Sequence, residues 1–216
     1  VQILNSGDDA TGQMDVLLVA AKKDMINDYT AVITEAGMNP VVMDVDGFCV
    51  QNAFELNHDV NPDETVVLVN IGASIVNINI IHGEATAFTR DISMGGNQVT
   101  EEIQKQLNVS YEEAEALKVG GDLADSRAIV PQEVAGIIRS VSENLASEVQ
   151  RSLDFYAATA AQDHIGRILL SGGSARLPGL ARVFEGRTNI ACELLNPFAK
   201  LSVDRRMDPD ELAQYS

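Results

Sequence analysis

Residues 64–96 hold the feature that most narrows the folds open to this chain: three strand-like segments joined by two tight turns. Glu64 to Ile71 is an apolar run that reads as a strand and ends in the small-residue turn Gly72-Ala73-Ser74. Ile75 to Ile81 follows, with Asn77 and Asn79 alternating against apolar neighbours. His82-Gly83-Glu84 then turns the chain into a third strand, Ala85 to Arg90, which runs into Ser93-Met94-Gly95-Gly96-Asn97. A second glycine loop, Ser171-Gly172-Gly173-Ser174, comes after the apolar segment Ile168-Leu169-Leu170 and before a helix expected over 178–184. Turns without bulky side chains let backbone N–H groups approach an anion closely. The first bend suits a nucleotide phosphate and the second the base. Together they point to a bilobal phosphate-clamp ATPase domain.

The rest of the chain alternates strands and helices. Met14 to Ala20 reads as a buried strand, Asp24 as the cap of a helix carrying Met25, Ile26, Tyr29, Ile33 and Ala36, and Gly37 as its stop. Pro40 to Val45 is the next expected strand, giving a βαβ-like unit, and Phe48 to Leu56 looks helical. Gly95-Gly96-Asn97 breaks into a helix with Val99, Ile103 and Leu107 on one face. Ser110 and Glu113 form a capping box for a short helix ending at Gly120-Gly121, with a polar loop over 122–128. Pro131 opens the longest helix, whose apolar stripe runs from Val134 through Ile138, Leu145 and Val149 to Tyr156. Ile190 to Leu195 is the last strand, and a helix-like Asp210-Glu211-Leu212-Ala213 follows. Such a mixture is α/β in the broad sense.

Composition excludes whole classes of function. A net charge of −17 over 216 residues argues against non-specific binding to nucleic acid or to an anionic membrane surface. Any phosphate must therefore be held locally, by amides, a few cations or a metal ion. No apolar run reaches the ~18–20 residues that span a bilayer, and no signal-peptide pattern is present, so the cytoplasm is the expected compartment. Cys49 and Cys192 lie outside any metal or CxxC spacing and read as buried thiols. His58, His82 and His164 read as surface or loop residues. Neither a Walker A loop nor a dinucleotide-binding glycine pattern occurs. The chain begins at Val1 and reads as a piece of a longer protein.

The order of these elements resembles the actin-like ATPase superfamily, and within it the PilM family of type IV pilus assembly proteins, with the FtsA cell-division family next. The residues that carry the resemblance are Val67 to Ser74, Met94 to Ile103, Glu112 to Lys118, Leu169 to Gly179 and the corner Asn196-Pro197-Phe198. The resemblance implies an incomplete actin-like (ribonuclease H-like) α/β fold, without most of the first large subdomain. Residues 1–46 would be the C-terminal part of an extra subdomain and 47–61 a connecting helix. Residues 62–109 with 150–205 would form the second large subdomain, 110–149 its small companion and 206–216 a tail. It also implies ATP as ligand. Gly72, Ala73 and Ser74 would receive the phosphates. Gly95, Gly96 and Asn97 would lie near ribose or phosphate, Glu115 and Lys118 beside ribose and adenine, and Gly172, Gly173 and Ser174 around the adenosine. Read from spacing alone, Glu115 and Lys118 are a solvated i,i+3 ion pair.

Family turns of this type begin with Asp, whereas Asn70 stands here. Asn keeps the oxygen but loses the charge that favours Mg²⁺, so Asn70 would act on magnesium only through water. Nucleotide binding is therefore expected over efficient hydrolysis. The family further implies a cytoplasmic scaffold, peripheral to the inner membrane, that docks on the cytoplasmic tail of the membrane protein PilN in pilus biogenesis and twitching motility. Other components of the pilus machinery, or a second copy of the chain, are further partners it allows; an FtsA-like cell-division filament protein and an active ATPase or phosphotransferase are the alternative functions. A Gly172→Val substitution is expected to remove nucleotide binding without unfolding the protein.

Overall fold

The computed structural model describes residues 2–5, 14–120, 132–159, 164–204 and 206–208. They divide into two compact units, Val1–Val45 and Asp46–Ser216. In the first unit, strand β1 (Gln2–Asn5) pairs antiparallel with β2 (Asp15–Leu17), and helix α1 (Lys23–Glu35) follows. Met14 to Ala20 is thus strand only over its first part, and Val16, Leu18 and Val19 are exposed rather than buried. Lys22, not Asp24, is the N-cap of α1, and Asp24 sits in the first turn instead. Gly37 does end the helix: at φ +81° its N–H bonds Thr34 O, and Met38 N–H returns to Ile33 O. Pro40 to Val45 forms no strand. Val41 and Val42 are 81% exposed, and a β-branched run without a neighbouring strand has nothing to pair with.

The second unit carries the core. Helix α2 (Asp46–Asn57) precedes the expected meander, which is β3 (Thr65–Ile71), β4 (Val76–His82) and β5 (Ala85–Ile92). Helices α3 (Asn97–Leu107), α4 (Tyr111–Val119) and α5 (Gln132–Thr159) come next, then β6 (Ile165–Ser171), a short 3₁₀ turn at Gly173–Arg176, α6 (Leu180–Thr188) and β7 (Cys192–Leu194). The strands order as β5-β4-β3-β6-β7, with β3 antiparallel to β4 and parallel to β6. Ser110 and Glu113 make the expected capping box of α4. Gly121, the loop 122–128, Pro131 and residues 209–216 lie outside the described residues.

Alternation along the central strands feeds two cores. Val67, Val69 and Ile71 of β3, with Ile78, Ile80 and Leu170, pack against Val99, Ile103 and the stripe of α5. Val66, Leu68 and Leu169 face the other way, onto Phe54 of α2 and Leu195. β3 is therefore buried on both faces, which explains why its sequence reads as a continuous apolar run. Two central strands, β3 and β6, both end at the level of the glycine bends.

Candidate functional site

The bends seen in the sequence pack directly against each other. Ser174 Oγ donates to the carbonyl oxygen of Gly72 at 3.1 Å, across 102 positions of chain. The start of α3 closes on the same turn: Gly96 N–H donates to Gly72 O at 3.0 Å and Asn97 N–H to Ala73 O at 2.8 Å. Asn97 Nδ2 also donates to Ser74 Oγ at 3.1 Å. At Gly95 the backbones touch and only glycine fits, whereas at Gly96 the close neighbour is the Ser174 hydroxyl. A Cβ on Gly95 would sit 2.5 Å from the carbonyl oxygens of both Gly72 and Ala73, and one on Gly96 would overlap Ser174 Oγ.

This packing fixes which way the turn's amides point. In a planar trans peptide the C=O and N–H of one unit are antiparallel. The Gly72 carbonyl accepts from Gly96 and Ser174, so the N–H of Ala73, in the same peptide unit, points away from them. The Ala73 carbonyl accepts from Asn97, which turns the N–H of Ser74 outward in the same way. Both residues are exposed, and neither N–H has a backbone partner among the described residues. Two outward amides at a side-chain-poor bend form a concavity suited to an anion.

Glu115 and Lys118 are not the solvated pair that spacing alone allows. Lys118 is buried, and its ammonium reaches Glu115 Oε2 at 2.7 Å, Thr100 Oγ1 at 2.9 Å and Gly96 O at 3.4 Å. Thr100 in turn donates to Glu115 Oε2 at 2.6 Å. This cluster braces α4 and α3 behind the bend. Burial raises the cost of the Glu115 charge, but hydrogen bonds from Lys118 and Thr100 and the Lys118 charge outweigh it and hold the carboxyl below the usual glutamate range. Thr100 was not singled out in the sequence. Its signal was available, because Gly96, Thr100 and Ile103 follow helical spacing beside the glycine pair.

On the opposite side of the loop, Gly172 has φ +85° and ψ 159°, a region only glycine occupies readily. A Cβ there would lie 2.5 Å from Asn70 Oδ1 and 2.6 Å from Ile71 O. Gly172→Val therefore strains the backbone and is not a clean probe of binding, contrary to the sequence-based expectation. Gly173, by contrast, has open space around its Cβ direction. Gly172 and Gly173, with Asn70, Ser171 and Arg176, line a cavity of about 390 Å³ against Cys49, Val50 and Ala53 of α2.

The donors present suit a hydrated cation better than a directly caged one. Asn70 Oδ1 faces Gly172, and Ser171 Oγ is buried without a partner. No group of three metal-ligating side chains occurs among the described residues. A magnesium ion would hence be held through waters and nucleotide phosphates, as is usual for this ion.

Other expected features are displaced. Cys49 is exposed rather than buried, and Cys192 is half-buried, its thiol pushed up to about 12 by burial and by Glu185. His82 bonds Thr65 at 2.9 Å, and His58 stacks on Phe54 with ring centroids 5.1 Å apart. Of the three histidines, His164 alone is exposed. Among the described residues no helix is long and apolar enough to cross a membrane.

The family model for type IV pilus assembly protein PilM matches residues 1–216. The cell division protein FtsA of Enterococcus hirae is 30% identical over 165 residues, covering 69% of this chain and 36% of FtsA. Among solved structures, a PilM–PilN type IV pilus biogenesis complex superposes with a TM-score of 0.73 at 24% identity, covering 89% of this chain and 54% of the matched one. MreB 5 of Spiroplasma citri bound to AMPPNP superposes with a TM-score of 0.57 at 14% identity, covering 79% and 60%. These neighbours share the actin-like fold. The chain spans about a third of the FtsA relative and about half of the chain it matches in the solved complex.

Proposed function

Since the chain belongs to the type IV pilus assembly protein PilM family, we propose that it supplies half of a nucleotide cleft in a scaffold of the pilus machine. ATP is the ligand in this reading. Its phosphates lie over the outward amides of Ala73 and Ser74, with Gly95, Gly96 and Asn97 alongside. The Glu115 carboxylate, 39% exposed, faces the ribose hydroxyls, with Lys118 next to it. Gly172, Gly173 and Ser174 border the adenosine. The observation that carries the proposal is the pair of exposed N–H groups at 73 and 74, without a backbone partner among the described residues and held outward because the Gly72 and Ala73 carbonyls are tied back to α3 and Ser174.

Binding rather than turnover is the expected chemistry. The neutral Asn70 supplies an oxygen but no charge for magnesium. Nucleotide then acts by favouring one arrangement of the lobes, through its different affinity for the open and closed states. The partner we infer is the cytoplasmic tail of the inner-membrane protein PilN, which would hold the protein at the cytoplasmic side of that membrane. The support is the likeness to the solved PilM–PilN complex.

The test uses full-length protein, a fluorescent ATP analogue and a synthetic PilN tail peptide. Micromolar analogue binding that shifts peptide affinity in the presence of magnesium is the expected result. Protein that binds the peptide with unchanged affinity at every nucleotide concentration would refute the nucleotide half of the proposal.

A further inference from the structure

A row of polar side chains crosses the sheet just below the bend. Asp91 on β5, Asn77 on β4, Asn70 on β3 and Ser171 on β6 are direct cross-strand partners. Direct partners project to the same face. Here that is the α2 face, because Leu68, two residues before Asn70, packs on Phe54. Asn77 Nδ2 donates to Asp91 Oδ1 at 2.8 Å, and Asn70 Nδ2 donates to Asn77 Oδ1 at 3.0 Å.

The direction of these bonds is dictated from one end. An ionised carboxylate only accepts, so Asn77 must give its amide nitrogen to Asp91. That leaves the Asn77 oxygen for Asn70, which must give its own nitrogen in turn. Asn70 Oδ1 is thereby aimed the other way, toward Gly172, where a Cβ would lie 2.5 Å from it. Ser171 Oγ, buried and without a partner, ends the row beside the same cavity.

A carboxylate at position 70 would need no such arrangement, since both its outer atoms are oxygens. A carboxamide has a right end and a wrong one, and the wrong end aims an NH₂ group at a cation. We propose that Asp91 is a positioning residue for the nucleotide site: through Asn77 it locks the Asn70 carboxamide with its oxygen toward the cleft, where that oxygen would accept a hydrogen bond from a magnesium-bound water. This deepens, and rests on, the nucleotide reading above. Asp91 never touches the ligand. It sets which atom of Asn70 does.

The test measures affinity of the full-length protein for a fluorescent ATP analogue, with excess magnesium and separately with EDTA. Wild type, Asp91→Asn, Asn70→Asp and the double variant Asn70→Asp/Asp91→Asn are compared, with urea midpoints confirming that each is folded. Asp91→Asn is expected to lose most of the magnesium-dependent tightening, about tenfold, while its affinity in EDTA stays at the wild-type value. The double variant is expected to regain magnesium dependence, because a carboxylate at 70 no longer needs orienting. A merely structural Asp91 would weaken both conditions alike and would not be rescued. Full magnesium dependence in Asp91→Asn, or failure of the rescue, overturns the proposal. No analogue binding by wild type overturns the nucleotide reading and this proposal with it.

Discussion

Three glycines of one loop should respond to alanine in three different ways, and the structure sets the order. Gly173 has an ordinary φ and nothing within 4 Å of its Cβ direction. Alanine there restricts the unfolded chain without strain and should leave stability unchanged or raise it by up to about 1 kcal/mol. Gly179 has equally open space but φ +80°, so alanine meets only the left-handed penalty of about 1–2 kcal/mol. Gly172 has both problems. Its φ/ψ pair lies in a glycine-only region, costing about 1–3 kcal/mol. Its Cβ would also press on Ile71 O at 2.6 Å and Ile71 C at 2.9 Å, backbone atoms of a buried central strand that cannot swing aside. Overpacking of that kind adds about 1–3 kcal/mol. The sum, about 4 kcal/mol, is a large share of the ~5–15 kcal/mol that holds a protein folded. Urea unfolding followed by circular dichroism reads the differences as midpoint shifts at unchanged slope. If Gly172→Ala cost no more than Gly173→Ala, the close approach of the loop to β3 would be wrong, and with it the geometry of the cavity.

Two further outcomes follow from the charged groups. Lys118→Met keeps the buried stem but removes three contacts of the ammonium, and should lower stability by about 1–2 kcal/mol, held down by the partial exposure of Glu115; a neutral or stabilising result in urea melts would show that the cluster does not brace α3. His58 is held below its ordinary value of 6.5, chiefly by burial of its ring and next by Arg167, against an opposing effect of Glu193. A depressed histidine stabilises fully above that value and loses its contribution as pH falls through the folded-state value. Thermal melts between pH 8 and pH 5 (a range set by histidine titration, about 6.5) should therefore fall less steeply for His58→Phe, which keeps the stack on Phe54; parallel curves for the two proteins would count against it.

What could be read from the sequence was local. The meander was legible because its apolar alternation and its turns sit within a few residues of each other, and the α5 stripe because eight of its positions repeat at helical spacing. Pro40–Val45 failed for the opposite reason: propensity names residues that suit a strand but supplies no neighbour. β1 pairs with β2 across residues 6–14, and its four residues carry too little pattern to announce it. The burial of Lys118 was invisible, since nothing in its i,i+3 spacing says that Thr100 and the Gly96 carbonyl wait behind it. The polar row is the most instructive miss. Counting outward from Gly72-Ala73-Ser74 gives the Asn70–Asn77 pair correctly. Counting from the second turn, however, sets Asn77 opposite Arg90. The register shifts by one between Ile80 and Ile81, and that irregularity brings Asp91 into place instead. A single inserted residue thus exchanges a cation for the carboxylate that orders the row.

The placement of β3 between β4 and β6 also bears on how the molecule comes into being. The β4 side closes over a tight turn, whereas the β6 side waits for α3, α4 and α5 to be made first. Loop closure over that much chain is slow, so the hairpin half exists for a time with one flank of β3 bare. Such a flank, rich in valine and leucine, is a template for the wrong neighbour. The seam that seats Ser174 on Gly72 closes only after that long crossover, and β7 is added to β6 later still. During synthesis the early meander depends on residues the ribosome delivers a hundred positions later.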